Sequence, residues 1–495
     1  MTNTSPAVTA APSDVASPYR WRWLALTAIL GAEVMDLLDA TVVGIAAPSI
    51  RADLGGDGAT IQWIAAGYTL AFAVGLITGG RLGDLYGRSR MFLLGLGGFV
   101  LASALCGFAG SPEMLITSRV LQGLFGALLI PQGFGIMKSM FSPADLQKAF
   151  GAFGPVMGLS AVAGPVVAGA LIAWNPAGAD WRTVFLINVP LGLAAFVLAW
   201  KVLPESRAEG SPRPDPLGFL LVSVGLSLLI FPLVEGRELG WPGWTIAMMV
   251  ASVPVLAVFG LHQVRRSRSG RAPLVEPALF RIRAFTGGLV TGLGLFGSLT
   301  GLAFALGLHL QLTLGFTPLQ AGLTQAPWAL GIAVGAVLAG AWLGPKLGRT
   351  CIQIGAAITV AGIVGTIGTL VLSGSGMPGW ALAPALLVTG VGIGLAMTPF
   401  FDITLAGIEL DMVGSASGVL NANQQLGATA GIAVLGTVFF GLLESGDAAG
   451  AVTTVLWISA GIMAATGVLA YVLPKRARAE EAAYRPARAP GSRSP

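Results

Sequence analysis

The stretch Gly80-Arg-Leu-Gly-Asp-Leu-Tyr-Gly-Arg-Ser-Arg90 is a short, basic, glycine-rich segment between two long apolar runs. Its glycines permit a tight backbone reversal, and Asp84 and Arg88, four residues apart, can pair across one helical turn. A carboxylate here can also cap a helix N-terminus from elsewhere in the fold, a contact that we call the latch. The alternative is a loop whose arginines only orient the chain in a membrane. The latch residues are Gly80, Arg81, Gly83, Asp84, Gly87, Arg88 and Arg90.

Apolar runs like the two that flank the latch recur along the whole chain. Of its 495 residues, 54% are hydrophobic and 10% are charged, whereas soluble domains carry about 25% charged residues. The sequence therefore predicts an all-α integral membrane protein in contact with the lipid bilayer, with fourteen transmembrane helices. The predicted helices cover residues 24–47, 59–80, 91–110, 113–137, 148–172, 183–202, 216–235, 243–263, 284–310, 318–341, 350–372, 380–401, 414–441 and 451–473.

The basic residues lie mostly on one side of this predicted membrane topology. The tails and alternate loops carry nearly all of the 28 lysines and arginines, while the opposite loops carry only Arg51, Arg182 and Arg237. The positive-inside rule then places both termini in the cytoplasm and the chain in the cytoplasmic membrane. Because this distribution explains the net charge of +5, we expect no nucleic-acid partner.

A faint repeat indicates how the helices are grouped. A second short, basic, glycine-rich turn is Leu343-Gly-Pro-Lys-Leu-Gly-Arg349. It occupies the same position in the later block of six helices as the latch occupies in the first block. Parallel repeats of six helices around a central cavity form one large class of transporters. The predicted domains are a disordered cytoplasmic N-terminal tail 1–20, a six-helix bundle 21–203, a linker with two additional transmembrane helices 204–283, a second six-helix bundle 284–474 and a basic cytoplasmic tail 475–495.

Three acids interrupt the first predicted helix. Glu33, Asp36 and Asp39 stand three residues apart, so that they share about 120° of one helix face. An ionised carboxylate near the bilayer centre costs about 2.5–3.5 kcal/mol on the mildest insertion scale. We therefore expect this face to line a polar cavity in which protons and cargo are handled, with Glu33 and Asp36 as the sites of competition between them.

Arg119 is the one arginine that the prediction places within a helix. At 1.5 Å per residue, Arg119 lies about 9 Å from the outer end of its helix, and Asp39 lies about 13 Å from the outer end of the first helix. The two can form an ion pair if their helices are neighbours. Such a pair either controls proton binding at the acids or is a purely structural buried pair.

The fifth predicted helix is rich in glycine and proline. Proline bends a helix, and glycine lets a neighbouring helix approach closely. These residues indicate a hinge against the other half, although ordinary packing is the alternative. The hinge residues are Gly154, Pro155, Gly158, Gly164, Pro165 and Gly169.

Polar side chains within other predicted helices are candidates for contact with cargo, with hydrogen bonds between helices as the equal alternative. Together with Glu33 and Asp36 they form the candidate cavity set. The set comprises Gln62, Tyr68, Gln122, Gln311, Gln325, Asn421 and Gln425. Cys106 and Cys351 lie in apolar helices, and no metal site, nucleophile–base set or phosphate-binding loop is visible.

The latch motif resembles the loop between helices 2 and 3 of the major facilitator superfamily. Further segments are similar to signatures of its fourteen-helix drug:proton antiporter branch, the QacA/EmrB-like proteins. These segments are Leu38-Asp-Ala-Thr-Val-Val-Gly-Ile-Ala-Ala-Pro48, Ile116-Thr-Ser-Arg-Val-Leu-Gln-Gly-Leu-Phe-Gly126, Gly158-Leu-Ser-Ala-Val-Ala-Gly-Pro-Val-Val-Ala-Gly169, Asp180-Trp-Arg-Thr-Val-Phe-Leu-Ile-Asn-Val-Pro-Leu-Gly192 and Ser417-Gly-Val-Leu-Asn-Ala-Asn-Gln-Gln-Leu-Gly427.

This resemblance implies the major facilitator fold and a function in export rather than catalysis. It implies exchange of protons for small lipophilic, cationic or zwitterionic compounds, without a cofactor and driven by the proton gradient. It also implies that Arg119 tunes protonation of the first-helix acid, and we expect a monomer. Two alternatives remain: an exporter dedicated to one endogenous metabolite or antibiotic, and a transporter-like membrane sensor.

Overall fold

The structure is a computed structural model. In the part of the chain that it describes, the regular secondary structure is helical. The described residues are 19–141, 160, 163–205, 215–373, 377–406, 408 and 412–475, without the side chains of 77, 78, 80, 81, 84, 134, 138, 177 and 413–415. The α-helices are α1 Arg22–Leu54, α2 Gly58–Tyr86, α3 Arg88–Gly107, α4 Pro112–Gly126, α5 Leu129–Met140, α6 Ala163–Trp174, α7 Thr183–Leu186, α8 Asn188–Val202, α9 Pro216–Glu235, α10 Gly243–Arg268, α11 Arg283–Leu308, α12 Pro318–Leu338, α13 Gly344–Leu347, α14 Arg349–Ser373, α15 Ala383–Thr404, α16 Val413–Glu444 and α17 Ala448–Leu469.

Twelve helical segments within the described residues are long and apolar enough to cross a membrane. Twelve of the fourteen predicted helices correspond to them. A further prediction, 24–47, falls within α1, which carries the three acids. The last, 148–172, lies mostly outside the described residues, and only α6 represents its C-terminal part. The chain is thus a multi-pass membrane protein.

Two predicted helices are interrupted, and prolines explain both breaks. The helix predicted over 113–137 ends at Gly126 and resumes as α5, because Pro131 has no N–H to bond the carbonyl four residues earlier. The helix predicted over 183–202 is divided at Ile187 in the same way, since Pro190 leaves the Leu186 carbonyl without that partner.

Helix starts follow side-chain caps. Asp57 accepts from the Thr60 amide and forms a capping box at the start of α2, and Thr317 does the same with Gln320 at α12. Ser111 caps α4 by accepting from the Met114 amide. Such caps satisfy amides that the first helical turn leaves free.

The described helices before and after α9 and α10 pack mainly within their own groups. In the first group α1 and α3 lie against α8, and α2 and α3 lie against α4. In the second group α15 packs between α12 and α14, and α11 lies against α16 and α17. The groups meet chiefly where α2 runs along α16, with smaller contacts of α1 with α11 and α12.

The additional helix α9 touches both groups at the predicted outer end. The Trp63 Nε1–H of α2 donates to Glu235 Oε1 at 2.6 Å, and the Thr437 hydroxyl of α16 donates to a carbonyl of α9 at 2.8 Å. Arg237, just beyond α9, pairs with Glu444 at the end of α16. The helix therefore lies at the junction of the two groups.

At the opposite end, Asp215 ties α9 to α10. Its carboxylate accepts from the Gly218 amide at 3.0 Å and from Gln263 Nε2 at 3.1 Å, and lies 2.8 Å from His262 Nε2. Burial raises the pKa of Asp215, but these hydrogen bonds and the charge of Arg266 outweigh burial and hold the pKa below its usual value. The carboxylate is therefore a stable anchor at neutral pH.

Candidate functional site

Helix α1 carries its three acids into the interior of the first helix group. Glu33, Asp36 and Asp39 are 3%, 5% and 1% exposed, as their shared helix face predicts. A Cβ on Gly126 of α4 would lie 3.1 Å from Asp36 Oδ1, and one on Gly133 of α5 would lie 3.9 Å from Glu33 Oε1. Gly126 thus makes room for Asp36, whereas a Cβ on Gly133 would be in ordinary contact with Glu33.

Asp39 and Arg119 form a buried ion pair. Arg119 Nη1 contacts Asp39 Oδ2, and both side chains are at most 1% exposed. The Arg119 Nε–H also donates to the Ile64 carbonyl of α2 at 3.1 Å. Charges this deeply buried are tolerated when they are paired and hydrogen-bonded, and the similar depths of the two residues predict this contact.

Neutral polar side chains also form hydrogen bonds with the Asp39–Arg119 pair. Gln122 Nε2 donates to Asp39 Oδ1 at 2.9 Å and to Ser103 Oγ at 2.6 Å, while its Oε1 accepts from Arg119 at 2.6 Å. Asn188 Nδ2 donates to Asp39 Oδ1 at 2.8 Å. The Asp39 carboxylate is thus held from α4 and α8, and Ser103 of α3 holds Gln122 in place.

Tyr68 joins this network to Asp36. Its hydroxyl donates to Asp36 Oδ1, and the guanidinium carbon of Arg119 lies 4.2 Å from its ring centroid, a cation–π distance. Tyr68 is fully buried. Of the candidate cavity set, Tyr68 and Gln122 therefore make their contacts with the acids and Arg119.

Glu33 is the acid with the fewest partners. No hydrogen bond or ion pair of its side chain occurs within the described part of the chain, although the residue is only 3% exposed. Among the described residues, Asp39 has a cation and two amide donors, Asp36 has a phenol donor, and Glu33 has no such partner. The three acids thus lie in three different environments along one helix face.

Gln62 lies instead where the two helix groups meet. It is fully buried, and its Oε1 is 3.4 Å from the Thr437 hydroxyl of α16. Its Nε2 has no hydrogen-bond partner among the described residues. Further along the same contact, Thr429 Oγ1 donates to Thr69 Oγ1 at 2.7 Å.

The other candidate cavity residues are not brought together by any contact in the described structure. Gln311 and Gln325 each donate to a carbonyl of their own helix turn, at 3.2 and 3.5 Å. Asn421 and Gln425 are half-buried on α16, and the described structure gives their side chains no hydrogen bond. Contact of these residues with cargo stays a prediction.

The described part of the hinge segment packs tightly on other helices. A Cβ on Gly169 would lie 2.6 Å from Leu319 Cα, and one on Gly322 of α12 would lie 2.3 Å from the Pro165 carbonyl oxygen. A Cβ on Gly164 would lie 2.0 Å from the hydroxyl oxygen of Thr41 on α1. Gly154, Pro155 and Gly158 lie outside the described residues, so hinge motion stays a prediction.

The latch segment is more helical than the sequence predicts. Helix α2 continues through Gly80 and Gly83 to Tyr86, and Gly87 alone, with φ of 101°, makes the reversal. Gly83 is instead required for close packing, because a Cβ there would lie 1.7 Å from Gln132 Oε1.

The charged latch residues that are described bind within the first helix group. Arg88 donates to the Gly135 carbonyl at 3.1 Å, and Arg90 pairs with Glu205 at 3.3 Å. The side chains of Arg81 and Asp84 lie outside the described residues. The latch therefore stays a prediction.

Sequence reasoning missed two residues of the site. Asn188 and Ser103 are polar residues in largely apolar helices, and only the folded arrangement shows that Asn188 bonds Asp39 and that Ser103 bonds Gln122. Asn188 lies within one of the quoted motifs, which was the available signal.

Comparison with known proteins agrees with this architecture. A sequence profile described as Major Facilitator Superfamily matches residues 29–432. Two solved structures share the fold: an auto-inhibited POT family peptide transporter (TM-score 0.67, 15% identity, 94% of this chain and 99% of that one) and a D-xylose–proton symporter (TM-score 0.64, 14% identity, 92% and 98%).

Curated relatives are transporters and export proteins. The chain is 51% identical to a probable actinorhodin transporter of Streptomyces coelicolor, over 86% of this chain and 74% of that protein. It is 34% identical to the tetracenomycin C resistance and export protein of Streptomyces glaucescens, over 86% and 78%. It is 31% identical to the multidrug efflux pump LfrA of Mycolicibacterium smegmatis, over 89% and 85%. The chain belongs to the major facilitator superfamily and is a transporter of small molecules, not an enzyme.

Proposed function

We propose that this transporter is a proton-coupled antiporter that exports lipophilic, cationic or zwitterionic drugs or antibiotics. It belongs to the fourteen-helix, QacA/EmrB-like branch and lies in the cytoplasmic membrane as a monomer with both termini inside. The proton gradient drives it without a cofactor. Its two six-helix bundles rock around a central site that faces each side of the membrane in turn.

The unequal partners of the α1 acids carry this proposal. Asp39 is neutralised by Arg119, whereas Glu33 has no cation and Asp36 has a phenol donor within the described residues. A carboxyl group in apolar surroundings needs a neutralising partner. A proton and a cationic compound both meet that need, so Glu33 and Asp36 are the groups for which the two compete.

The glycine contacts of α6 support the rocking motion. Gly169 and Gly322 let α6 and α12 approach at the predicted outer end, where the backbones would clash with any larger residue. Small residues let two helix backbones approach closely, so no large side chains have to disengage when these two helices move. This contact lies between the two proposed bundles.

Proton release tests the proposal. Ethidium, a lipophilic cation, is added to the detergent-solubilised protein in weakly buffered solution, and released protons are measured with a pH dye. We expect release from the wild type and none from the triple variant Glu33→Gln, Asp36→Asn, Asp39→Asn. Glu113→Gln removes an exposed acid at the start of α4 and is the control that keeps release. Equal release from the triple variant would exclude these acids from coupling.

The names of the curated relatives favour a second candidate, an exporter dedicated to one antibiotic. A probable actinorhodin transporter and a tetracenomycin C export protein are among the similar proteins, beside multidrug pumps. A susceptibility screen in an efflux-deficient host separates the two. Resistance to many unrelated compounds supports multidrug export, and resistance to a single compound class supports the dedicated exporter.

A further inference from the structure

Tyr68 contacts Asp36 directly and also contacts Arg119, the partner of Asp39. From α2 its hydroxyl donates to Asp36, while its ring face receives the guanidinium of Arg119 at 4.2 Å. That same guanidinium pairs with Asp39. Among the described residues, Tyr68 is therefore the side chain that touches both Asp36 and Arg119.

The surroundings of Tyr68 fix the position of its hydroxyl. The residue is fully buried, and the Phe72 ring lies 5.7 Å from its ring. Helix α4 approaches so closely that a Cβ on Gly123 would lie 2.3 Å from the Tyr68 carbonyl oxygen. A side chain packed on all sides holds its polar atom in place.

A fixed phenol distinguishes the two protonation states of a neighbouring carboxyl. An ionised carboxylate only accepts hydrogen bonds, so the phenol must donate to it, whereas a protonated carboxyl can donate to the phenol oxygen in return. The O–H direction of Tyr68 thus depends on whether Asp36 carries a proton. The ring that bears this O–H also supports the Arg119 guanidinium.

We propose that Tyr68 is a positioning residue that couples proton binding at Asp36 to the Arg119–Asp39 pair and does not contact the cargo. This role rests on the proposed proton antiport and assigns to Tyr68 a part in it other than cargo binding. Among the described residues, the charged and titratable groups that face this centre are Glu33, Asp36 and Asp39 from α1, Arg119 from α4 and Cys106 from α3, which bonds Gln122 at 3.7 Å.

The variant Tyr68→Phe tests this role because it keeps the ring and removes only the hydroxyl. A donor to an ionised carboxylate favours the ionised form. Without the Tyr68 hydroxyl, the pH midpoint of ethidium-induced proton release should rise by about one unit, because a charge-assisted hydrogen bond to the carboxylate is lost. Ethidium affinity measured well above both midpoints should change less than twofold, whereas loss of a direct cargo contact would weaken it at every pH.

Coupling is measured by adding Asp39→Asn to the wild type and to the Tyr68→Phe variant. We expect Asp39→Asn to shift the release midpoint in the presence of Tyr68, and the shift to shrink at least threefold in the double variant. The control is Thr69→Val, which removes the neighbouring buried hydroxyl that bonds Thr429 and should leave the midpoint unchanged.

The outcomes separate this role from the proposed function. Normal proton release with an unchanged midpoint and full coupling in Tyr68→Phe would overturn the role of Tyr68 and leave antiport intact. Loss of ethidium affinity at all pH values would instead make Tyr68 a cargo residue. If the wild type released no protons, the antiport proposal and this role would both fall.

Discussion

At the scale of single residues, the Asp39–Arg119 pair dominates the site because both charges are almost completely buried. Removing one partner of a buried pair leaves an uncompensated charge and costs about 3–5 kcal/mol. We expect Arg119→Met to lower the melting temperature in detergent strongly. Adding Asp39→Asn should restore much of that stability without restoring proton release.

The control for this prediction is the exposed pair of Arg182 with Asp53, whose side chains are 28% and 43% exposed. A solvent-screened pair contributes about 0–1 kcal/mol, so Arg182→Gln should change the melting temperature little. If Arg119→Met lowered the melting temperature no more than Arg182→Gln did, the charge of Asp39 would not depend on Arg119.

The residue scale also shows how far sequence reasoning reaches. Asp39 and Arg119 stand out because a charge in an apolar helix needs a partner at its own depth. Gln122 and Tyr68 stand out as polar, but the sequence leaves contact with cargo and hydrogen bonds between helices equally open. Asn188 lies in a quoted motif, but its contact with Asp39 was not predictable, because which way a helix faces depends on packing with helices distant in sequence.

At the scale of elements, the crossing of α6 and α12 depends on glycine. A Cβ on Gly322 would lie 2.3 Å from a backbone oxygen that cannot move aside. We expect Gly322→Ala to force the helices apart and to reduce ethidium efflux from cells at equal expression. Gly368→Ala, where nothing lies within 4 Å of the added atom, is the matched control. Equal efflux by the two variants would argue against a tight crossing.

The anchor at Asp215 gives a pH-dependent prediction. Because the pKa of Asp215 is held below its usual value, its stabilising effect is complete above the unfolded value of about 4 and is lost as the pH falls through the lower folded value. Asp215→Asn should therefore loosen the connection after α10 at pH 7, and its difference from the wild type should shrink as the pH falls below about 4.

Hydrogen exchange of two amides measures this effect. Leu274 and Val275 donate to Gln263 Oε1 at 2.7 and 3.3 Å, and Gln263 in turn bonds Asp215. The ratio of exchange rates between variant and wild type at each pH removes the intrinsic pH dependence. A ratio near one at pH 7 would contradict the ionised anchor.

Helix bounds illustrate what the sequence cannot supply at this scale. Apolar runs and caps place most helices within a few residues of their bounds, but α2 runs six residues past the predicted end at Gly80 because helical geometry tolerates its glycines. The position of α9 between α2 and α16 was not predictable, since its apolar surface does not reveal which helices it contacts.

At the scale of the whole molecule, the energetics depend on how many protons move per cargo. Exchange of one proton for a monovalent cation moves no net charge, so that only the pH gradient drives it. A second proton would add about 2.3 kcal/mol per 100 mV of membrane potential. The two buried acids outside the Arg119 pair, Glu33 and Asp36, leave both stoichiometries available to this chain.

Transport in proteoliposomes shows whether the proton gradient drives export. Purified protein is reconstituted, the membrane potential is clamped at zero, and ethidium movement is followed after a pH gradient is imposed. We expect ethidium to move against the direction of proton flow, nigericin to abolish this movement by collapsing the gradient, and the triple variant of Glu33, Asp36 and Asp39 not to respond. Ethidium transport that continues at the same rate after nigericin, or in the triple variant, would contradict proton-coupled export.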